Sequence, residues 1–392
     1  MATIRAFCPI CPNPFYAGEL VFTKLQTESV AEQLLPLKTV LETGARQRPE
    51  TPEGQEQAYA DIRNALADLL AKEHLWQENS PGIYVYETVH SGRKQTGVWA
   101  LTDLNDYRSG KIKVHEQTLA DSVRRLRNYR EHTGLEGSPV LLTYHPDKLI
   151  NQVIADVKRN KADMALGNSH GMHRLWKVSD HGQQELLVLA FKRIDRVYLA
   201  DGHHRLESAA SLPVYGSISS LYMATDELRI EPYDRVVIPD TPYDVAELIK
   251  MINHRFHMLE SAGKRPVRPQ RPCRMGMYLG GQWYHLLLKS EFCDDTALDM
   301  EILQKHLLDP VFRITDPKTD GRLKYAGGEK ALEEIAALLQ EHPAAIAFTL
   351  SPLTPEQLVT AADEGRVLPP KATWIAPKVP YGLLIQKHDH TQ

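Results

Sequence analysis

The string Tyr198-Leu199-Ala200-Asp201-Gly202-His203-His204-Arg205 predicts a strand, a tight turn and the start of a helix. Apolar residues lead into the turn, glycine permits a backbone conformation that other residues avoid, and helical composition continues until Pro213. The first N–H groups of such a helix have no acceptor within it and lie at the positive end of its dipole. The turn is therefore a candidate site for a phosphate.

The side chains of this turn suggest several kinds of chemistry. Arg205 can hold phosphate oxygens in a bidentate grip. Asp201 can cap the helix, coordinate Mg²⁺ or act as a base, and the sequence alone does not choose among these roles. His203 and His204 are neighbours, so they point in different directions. The alternative interpretation is an ordinary Asp-Gly turn with a helix cap and no ligand.

A second informative string is His115-Glu116-Gln117-Thr118, between a predicted strand at 111–114 and a predicted helix at 118–130. Junctions of this kind often carry catalytic side chains in α/β folds. Glu116 is a candidate general base. The alternative is a solvated glutamate that complements the helix dipole.

Hydrophobic periodicity predicts a mixture of helices and strands along the rest of the chain, hence an α/β (α+β mixed) fold. Helices are expected at 57–75, 151–161, 203–212, 245–259, 329–340 and 355–364. Strands are expected at 83–89, 96–101, 139–144, 186–191, 196–200, 275–279, 283–288, 345–350 and 382–386. Residues 167–176 are interpreted as a loop. Changes in the sequence pattern along the chain suggest three regions, 1–108, 109–225 and 226–392.

Composition excludes several classes of protein. The 392 residues include 46 Lys+Arg and 50 Asp+Glu, and the formal charge of −4 argues against a general nucleic-acid binder. No stretch approaches the roughly 20 apolar residues of a membrane helix, and the N-terminus lacks an apolar signal core, so a cytoplasmic protein is expected. Four cysteines do not make a disulfide scaffold.

Several strings in combination resemble the bacterial and archaeal family DUF1015. They are His115-Glu116-x-Thr118, Ser138-Pro139-Val140, Ala200 to Arg205, Pro232-Tyr233-x-Arg235, Asp316-Pro317-x-Thr319-Asp320-Gly321-Arg322, Pro369-Pro370-Lys371-Ala372-Thr373 and Pro377-Lys378. Two positions depart from the family pattern. The Pro-Pro-Tyr-Asp-Val-type string near the start is absent, and Asp234 stands where members tend to show histidine.

The strings at 115–118 and 200–205 also resemble the core of the ParB/sulfiredoxin superfamily, which implies such a core at 109–225 with flanking α/β regions. Members bind nucleotide phosphates at the strand–turn–helix. Sulfiredoxin-like enzymes need a cysteine where this chain has His203, and ParB-like proteins bring a helix-turn-helix domain and basic character that are not found here. Free-serine kinases keep both strings, so that branch is the one favoured.

The kinase-like resemblance implies a role for each matching residue. Glu116 would deprotonate the substrate hydroxyl, with Asp201, His203 and His204 in the catalytic set and Asp201 as a Mg²⁺ ligand. The nucleotide-binding residues would be His115, Thr118, Gly202, His203, His204 and Arg205.

The expected function is a nucleotide-dependent phosphotransferase that uses ATP or ADP with Mg²⁺ on a small hydroxylated metabolite, with free serine as the example. The alternatives are a phosphatase acting on a small phosphorylated metabolite such as phosphoserine, and a nucleotide-binding regulatory protein without turnover. The expected partners are the nucleotide and the metabolite.

Four further residues are weaker candidates for the site. His173 belongs to a His-x-Leu-Trp string that family members often show, although a surface-loop histidine is the favoured interpretation. Arg235, Arg322 and Lys371 lie in matching strings and can each approach an anion. An ordinary connecting loop is the alternative for Arg322.

Overall fold

The computed structural model describes residues 2–22, 34–43, 51–168, 171–262, 265–269, 271, 273–293 and 296–388. The chain divides into two compact units. The first unit comprises Met1–Val114, Thr118–Leu228 and Pro377–Gln392, and the second comprises His115–Gln117 and Arg229–Ala376. Residues 1–108 and 109–225, expected as separate regions, thus lie in one unit apart from the three residues 115–117.

A nine-stranded mixed sheet, counted over the described residues, organises the first unit. Its strands in spatial order are Ile112–Lys113, Val197–Asp201, Val140–Tyr144, Ser217–Ala224, Arg93–Asp103, Ile83–His90, Gly171–Val178 and Met164–Asn168, with Ile4–Arg5 beside Arg93–Asp103. A hairpin joins the strands Ile83–His90 and Arg93–Asp103, and it turns at Ser91 and Gly92, both of which have positive φ. Two small ladders pair Ile10–Pro12 with Leu75–Gln77 and Leu135–Glu136 with Gln386–Lys387.

Helices cover one face of this sheet and build a second core beside it. They are Ala17–Val21, Pro52–Ala71, Leu104–Arg108, Ala120–Thr133, Lys148–Val157, His181–Arg193 and His203–Ala210, with a π-helical turn at Thr39–Thr43. The main core joins strand residues such as Val85 and Leu142 to helix residues such as Val153 and Phe191. A separate core forms around Pro52–Ala71 and includes the C-terminal Ile385.

The second unit contains an antiparallel sheet of six strands among the described residues. In spatial order they are Phe256–Glu260, Gln282–Leu288, Arg274–Leu279, Ile346–Thr349, Tyr233–Val237 and Leu323–Gly327. Its helices are Val245–Arg255, Asp299–Leu303, Ala331–Glu341 and Pro355–Asp363, with a 3-10 turn at Ser290–Phe292 and a π-helical turn at Gln304–Leu308. A two-stranded ladder pairs Ile230–Glu231 with Trp374–Ile375.

Some of the expected elements are wrong. The apolar run 186–191, expected as a strand, lies in the helix His181–Arg193 because Asp180 caps its start and Leu187, Ala190 and Phe191 are buried at helical spacing. In the region 167–176, expected as a loop, the residues that the structure describes belong to the paired strands Met164–Asn168 and Gly171–Val178.

Two other expected elements are shorter than their sequence pattern suggests. The helix expected at 245–259 ends at Arg255, and Phe256 then begins an edge strand. The strand expected at 382–386 is reduced to Gln386–Lys387.

Both units combine helices with β-sheets, which confirms the α/β class. Within the part of the chain that the structure describes, no helix has both the length and the apolar character needed to cross a membrane.

Candidate functional site

A strand, one glycine and a helix form the candidate phosphate site in the first unit. The strand Val197–Asp201 lies between Ile112–Lys113 and Val140–Tyr144, so both of its edges are paired. Its register with Val140–Tyr144 shifts just before the turn, and such irregularities redirect the side chains at a strand end. A single residue, Gly202, separates the end of this strand from the start of the helix His203–Ala210.

Gly202 makes this connection possible. Its φ of +99° lies in the left-handed region, which residues with a Cβ rarely adopt. A Cβ at this position would lie 2.9 Å from two nitrogen atoms of Arg205 and 3.1 Å from Cγ1 of Val140. The guanidinium of Arg205 therefore lies directly over the turn, in space that a Cβ at residue 202 would occupy.

The carboxylate of Asp201, directly before Gly202, binds two cationic side chains. Its Oδ2 accepts a hydrogen bond from Arg205 at 2.7 Å, and its Oδ1 accepts one from Nζ of Lys378 at 2.8 Å. One carboxylate and two cations leave one net positive charge beside the positive end of the helix dipole. This arrangement favours the binding of an anion.

The protonation of Asp201 limits the roles it can play. Burial alone would raise the pKa of Asp201, but Lys378 and Arg205 outweigh this effect and lower the pKa to about 2. A carboxylate with so low a pKa accepts a proton poorly near neutral pH. It does not cap the helix either, because Gly202 occupies the N-cap position without a side-chain hydrogen bond.

The surroundings of Asp201 also do not fit a resident Mg²⁺. Magnesium is held by oxygen ligands, and both oxygens of this carboxylate already accept hydrogen bonds from cationic groups. The hydrogen bonds that Asp201 accepts hold the side chains of Arg205 and Lys378 in place.

The two histidines of the turn have different surroundings. His203 is buried, whereas His204 is half-buried and its Nε2 accepts a hydrogen bond from the backbone N–H of Leu119 at 3.0 Å. This bond places the ring proton of His204 on Nδ1. Thr118 and Leu119 directly precede the helix Ala120–Thr133, so His204 ties the turn to the start of that helix.

The predicted base lies on a segment that the second unit holds. Glu116 forms an isolated parallel bridge with Leu368, and the N–H of Leu368 donates to the carbonyl of His115 at 2.8 Å. His115 is fully buried and Glu116 is half-buried. The neighbouring Gln117 accepts a hydrogen bond from Lys318.

Arg235 and Lys371 lie together in the same unit as Glu116. The buried guanidinium of Arg235 stacks on Tyr325 with its centre 4.8 Å from the ring centroid, and it donates to the carbonyl oxygens of Pro370 and Lys371. Burial lowers the pKa of Arg235, and the nearby Tyr325 and Asp234, with a smaller contribution from Glu116, partly offset that effect. Lys371 is exposed and has a φ of +60°, a strained value for a lysine.

The structure corrects the interpretation of His173 as a surface-loop residue. His173 is buried in the strand Gly171–Val178, and its Nδ1 shares a hydrogen bond of 2.7 Å with the hydroxyl of Tyr86. Burial lowers its pKa to about 4, so the ring is neutral at physiological pH. Apolar and polar residues do not alternate regularly in this strand, since Leu175 and Trp176 are adjacent, so the sequence lacks the two-residue period typical of a half-buried strand.

Arg322 lies in the connecting loop that was its alternative interpretation. Its guanidinium donates to both carboxylate oxygens of Asp320 and to the carbonyl oxygens of Phe312 and Arg313. These contacts hold the loop before the strand Leu323–Gly327, and they favour a structural role over the binding of an anion.

Lys378 is the site residue that the sequence interpretation did not select. It lies 177 residues after Asp201 in the chain, and local pattern cannot reveal a pair so far apart. The signal available in the sequence was the Pro377-Lys378 string among the family motifs.

The sequence matches the family model described as "Protein of unknown function (DUF1015)" over residues 41–313, more than half of the chain. The chain belongs to the DUF1015 family. This confirms the resemblance that its motifs suggested. A search of curated proteins found no match to this DUF1015 chain.

Several solved structures are distantly similar to this DUF1015 chain. One is a free serine kinase variant in complex with ADP, which is 14% identical, with 73% of this chain and 92% of that chain covered and a TM-score of 0.40. Another is C-terminally truncated SbnI from Staphylococcus aureus, which is 12% identical, with 73% and 87% covered and a TM-score of 0.40. A conserved hypothetical protein from Pyrococcus furiosus has a TM-score of 0.38 at 14% identity, with 73% and 94% covered. Similarities this distant carry no argument about the chemistry of this chain.

Proposed function

We propose that this DUF1015 protein is a nucleotide-dependent phosphotransferase that acts on a small hydroxylated metabolite. The observation that carries the proposal is the turn at Gly202, where Arg205 and Lys378 share one carboxylate beside a helix N-terminus. A nucleotide phosphate is the common metabolite group that such a concentration of N–H donors and positive charge suits best.

The cationic pair is organised before any ligand arrives. Because Asp201 fixes Arg205 over the turn, the guanidinium loses little conformational freedom when a phosphate binds. The bond to Asp201 uses a single N–H group of the five in the guanidinium. Phosphoryl transfer depends mainly on such positioning and on stabilisation of charge.

Glu116 is the proposed general base, an assignment that rests on the sequence resemblance. In the proposed reaction Glu116 takes the proton of the substrate hydroxyl. The oxygen of that hydroxyl attacks the terminal phosphorus of ATP or ADP. The bond between that phosphorus and the bridging oxygen breaks, and the nucleotide leaves one phosphate shorter.

The test uses the full chain with labelled ATP or ADP, with and without Mg²⁺, and a panel of hydroxy-amino acids that includes serine. Glu116→Gln should lower kcat by roughly 10²- to 10⁴-fold and leave the nucleotide Kd nearly unchanged, because a base acts on the substrate proton. The matched control is Glu364→Gln, which removes an exposed carboxylate of the same unit.

Each other outcome rejects a defined part of the proposal. Full activity in Glu116→Gln would remove Glu116 as the base. Hydrolysis of phosphoserine without nucleotide would identify a phosphatase. Nucleotide binding that depends on Arg205, with no product under any condition, would indicate a regulatory protein without turnover.

A further inference from the structure

Two cysteines of the second unit lie close together without being joined. The Sγ atoms of Cys273 and Cys293 are 2.8 Å apart. This separation exceeds the length of a disulfide bond, about 2.05 Å, by less than one ångström. Cys293 is exposed and Cys273 is partly exposed, so a small reagent can reach the pair.

Backbone hydrogen bonds hold both cysteines at the open end of one hairpin. The carbonyl of Cys273 accepts a hydrogen bond from the N–H of Leu288 at 3.2 Å, and the N–H of Cys293 donates to the carbonyl of Ser290 at 3.2 Å. The buried carboxylate of Asp299 accepts the N–H of Cys273 at 2.9 Å and that of Ser351 at 3.1 Å. The two thiols are thus held in position by the surrounding fold, and bond formation requires little backbone movement.

The other two cysteines of the chain provide an internal contrast. Cys11 is buried in the strand Ile10–Pro12, and burial raises its pKa far above the usual range of a thiol. Because the thiolate is the reactive form, Cys11 is expected to be inert. Cys8 stands three residues before it, at a partly exposed position.

We propose that Cys273 and Cys293 form a reversible intramolecular disulfide in response to low-molecular-weight disulfides. The exposed Cys293 thiolate attacks one sulfur of oxidised glutathione and displaces one glutathione thiolate. The Cys273 thiolate then attacks Sγ of Cys293 and displaces the second glutathione. The two protons lost by the protein thiols pass to the two released glutathiones, so the protein pair is oxidised and the glutathione disulfide is reduced.

The new bond closes a ring of chain around the hairpin Arg274–Leu279 and Gln282–Leu288. A cross-link of this kind restricts the unfolded chain and so favours the folded state. Oxidation should therefore raise Tm by several degrees, and reduction should reverse the change. This inference is independent of the proposed phosphotransferase activity.

The experiment incubates the reduced full-length protein with oxidised glutathione, alkylates the remaining thiols after denaturation and maps the peptides by mass spectrometry. We expect two of the four cysteines to escape alkylation, a linked peptide pair containing Cys273 and Cys293, and full recovery of four thiols after dithiothreitol. Four alkylated thiols, stable glutathione adducts without the link, or a link between two chains would each overturn the proposal.

Two variants separate the proposal from general oxidation. Cys273→Ser should retain one glutathione on Cys293, because the second thiol that displaces it is missing, and it should lose the Tm increase. Cys8→Ser is the matched control and should form the same disulfide as the unmodified sequence. Loss of the disulfide in Cys8→Ser, or a preserved Tm increase in Cys273→Ser, would contradict the proposed pairing.

Discussion

Two arginine–carboxylate pairs in the first unit have the same chemistry and different surroundings. Arg205 and Asp201 are 2.7 Å apart, with side chains 26% and 31% exposed. Arg130 and Glu136 are 3.0 Å apart, with side chains 4% and 0% exposed. Water reaches the first pair, so Arg205 can exchange part of its bonding for a ligand. The second pair has no such freedom.

The surroundings of the buried pair explain why it is fixed. The backbone N–H of Ser219 donates to Glu136 at 2.9 Å, and Arg130 donates to the hydroxyl of Ser208. Glu136 also belongs to the strand that pairs with the C-terminal Gln386–Lys387. The buried pair therefore joins two helices, two strands and the C-terminal segment, whereas the exposed pair organises one turn.

The largest expected effect concerns the buried pair. Arg130→Met should lower the free energy of unfolding by about 3–5 kcal/mol, because it leaves the carboxylate of Glu136 buried without its cationic partner. Denaturant unfolding at pH 7 measures this change. The double variant Arg130→Met/Glu136→Gln should recover part of the loss, since it no longer buries an unpaired charge. A loss below about 1 kcal/mol in the single variant would contradict the interpretation.

The acid dependence of stability offers a second readout of the same pair. Burial alone would raise the pKa of Glu136, but Arg130 and His388 outweigh it and lower the pKa from 4.5 to about 2. A lowered pKa means that the stabilisation is fully present above pH 4.5 and is lost as the pH falls towards 2. In Arg130→Met the loss of stability over this pH range should be smaller, because removal of the arginine brings the pKa of Glu136 back towards its ordinary value.

Substitution in the exposed pair should change ligand affinity more than the free energy of unfolding. Arg205→Met should weaken the binding of ADP by roughly 10- to 100-fold, because it removes charged hydrogen bonds to phosphate. The free energy of unfolding should change by less than about 1 kcal/mol, as for other partly exposed ion pairs. Calorimetric titration and denaturant unfolding measure the two quantities.

The control for Arg205 is Arg193→Met, which removes an exposed arginine of the same unit. Nη2 of Arg193 lies 3.2 Å from Oδ2 of Asp147. It should leave the Kd for ADP unchanged. Equal affinity in Arg205→Met and in the control would remove the turn as a phosphate site.

Local sequence signals allowed the turn to be predicted, whereas contacts between residues far apart in the chain could not be predicted from the sequence. An apolar run, Asp201-Gly202 and a helical stretch are close together in the chain, so strand, turn and helix could be read directly. Lys378, the partner of Asp201, is distant in sequence, so this pair could not be predicted from local pattern. The run 186–191 was misread because a short apolar segment suits a buried strand as well as a buried helix.

Asp234 illustrates how a departure from the family pattern is accommodated. Its buried carboxylate accepts hydrogen bonds from Arg268 at 2.6 Å and from the backbone N–H of Leu350 at 3.0 Å. Arg268 comes from the proline- and arginine-rich stretch 264–274. One arginine of that stretch thus compensates a buried charge, and only the tertiary structure reveals it.

The smallest expected effect concerns Lys378, the outer member of the exposed cluster. Its side chain is 47% exposed, so Lys378→Met should change the free energy of unfolding by at most about 0.5 kcal/mol. The affinity for ADP should fall by roughly 2- to 5-fold, because water and salt screen a charge at this position. Raising the ionic strength should reduce the difference in ADP affinity between Lys378→Met and the unmodified protein. Lys387→Met changes an exposed lysine of the same C-terminal segment and should have no effect on Kd. An equal loss in both variants would show that Lys378 acts only through the general charge of the segment.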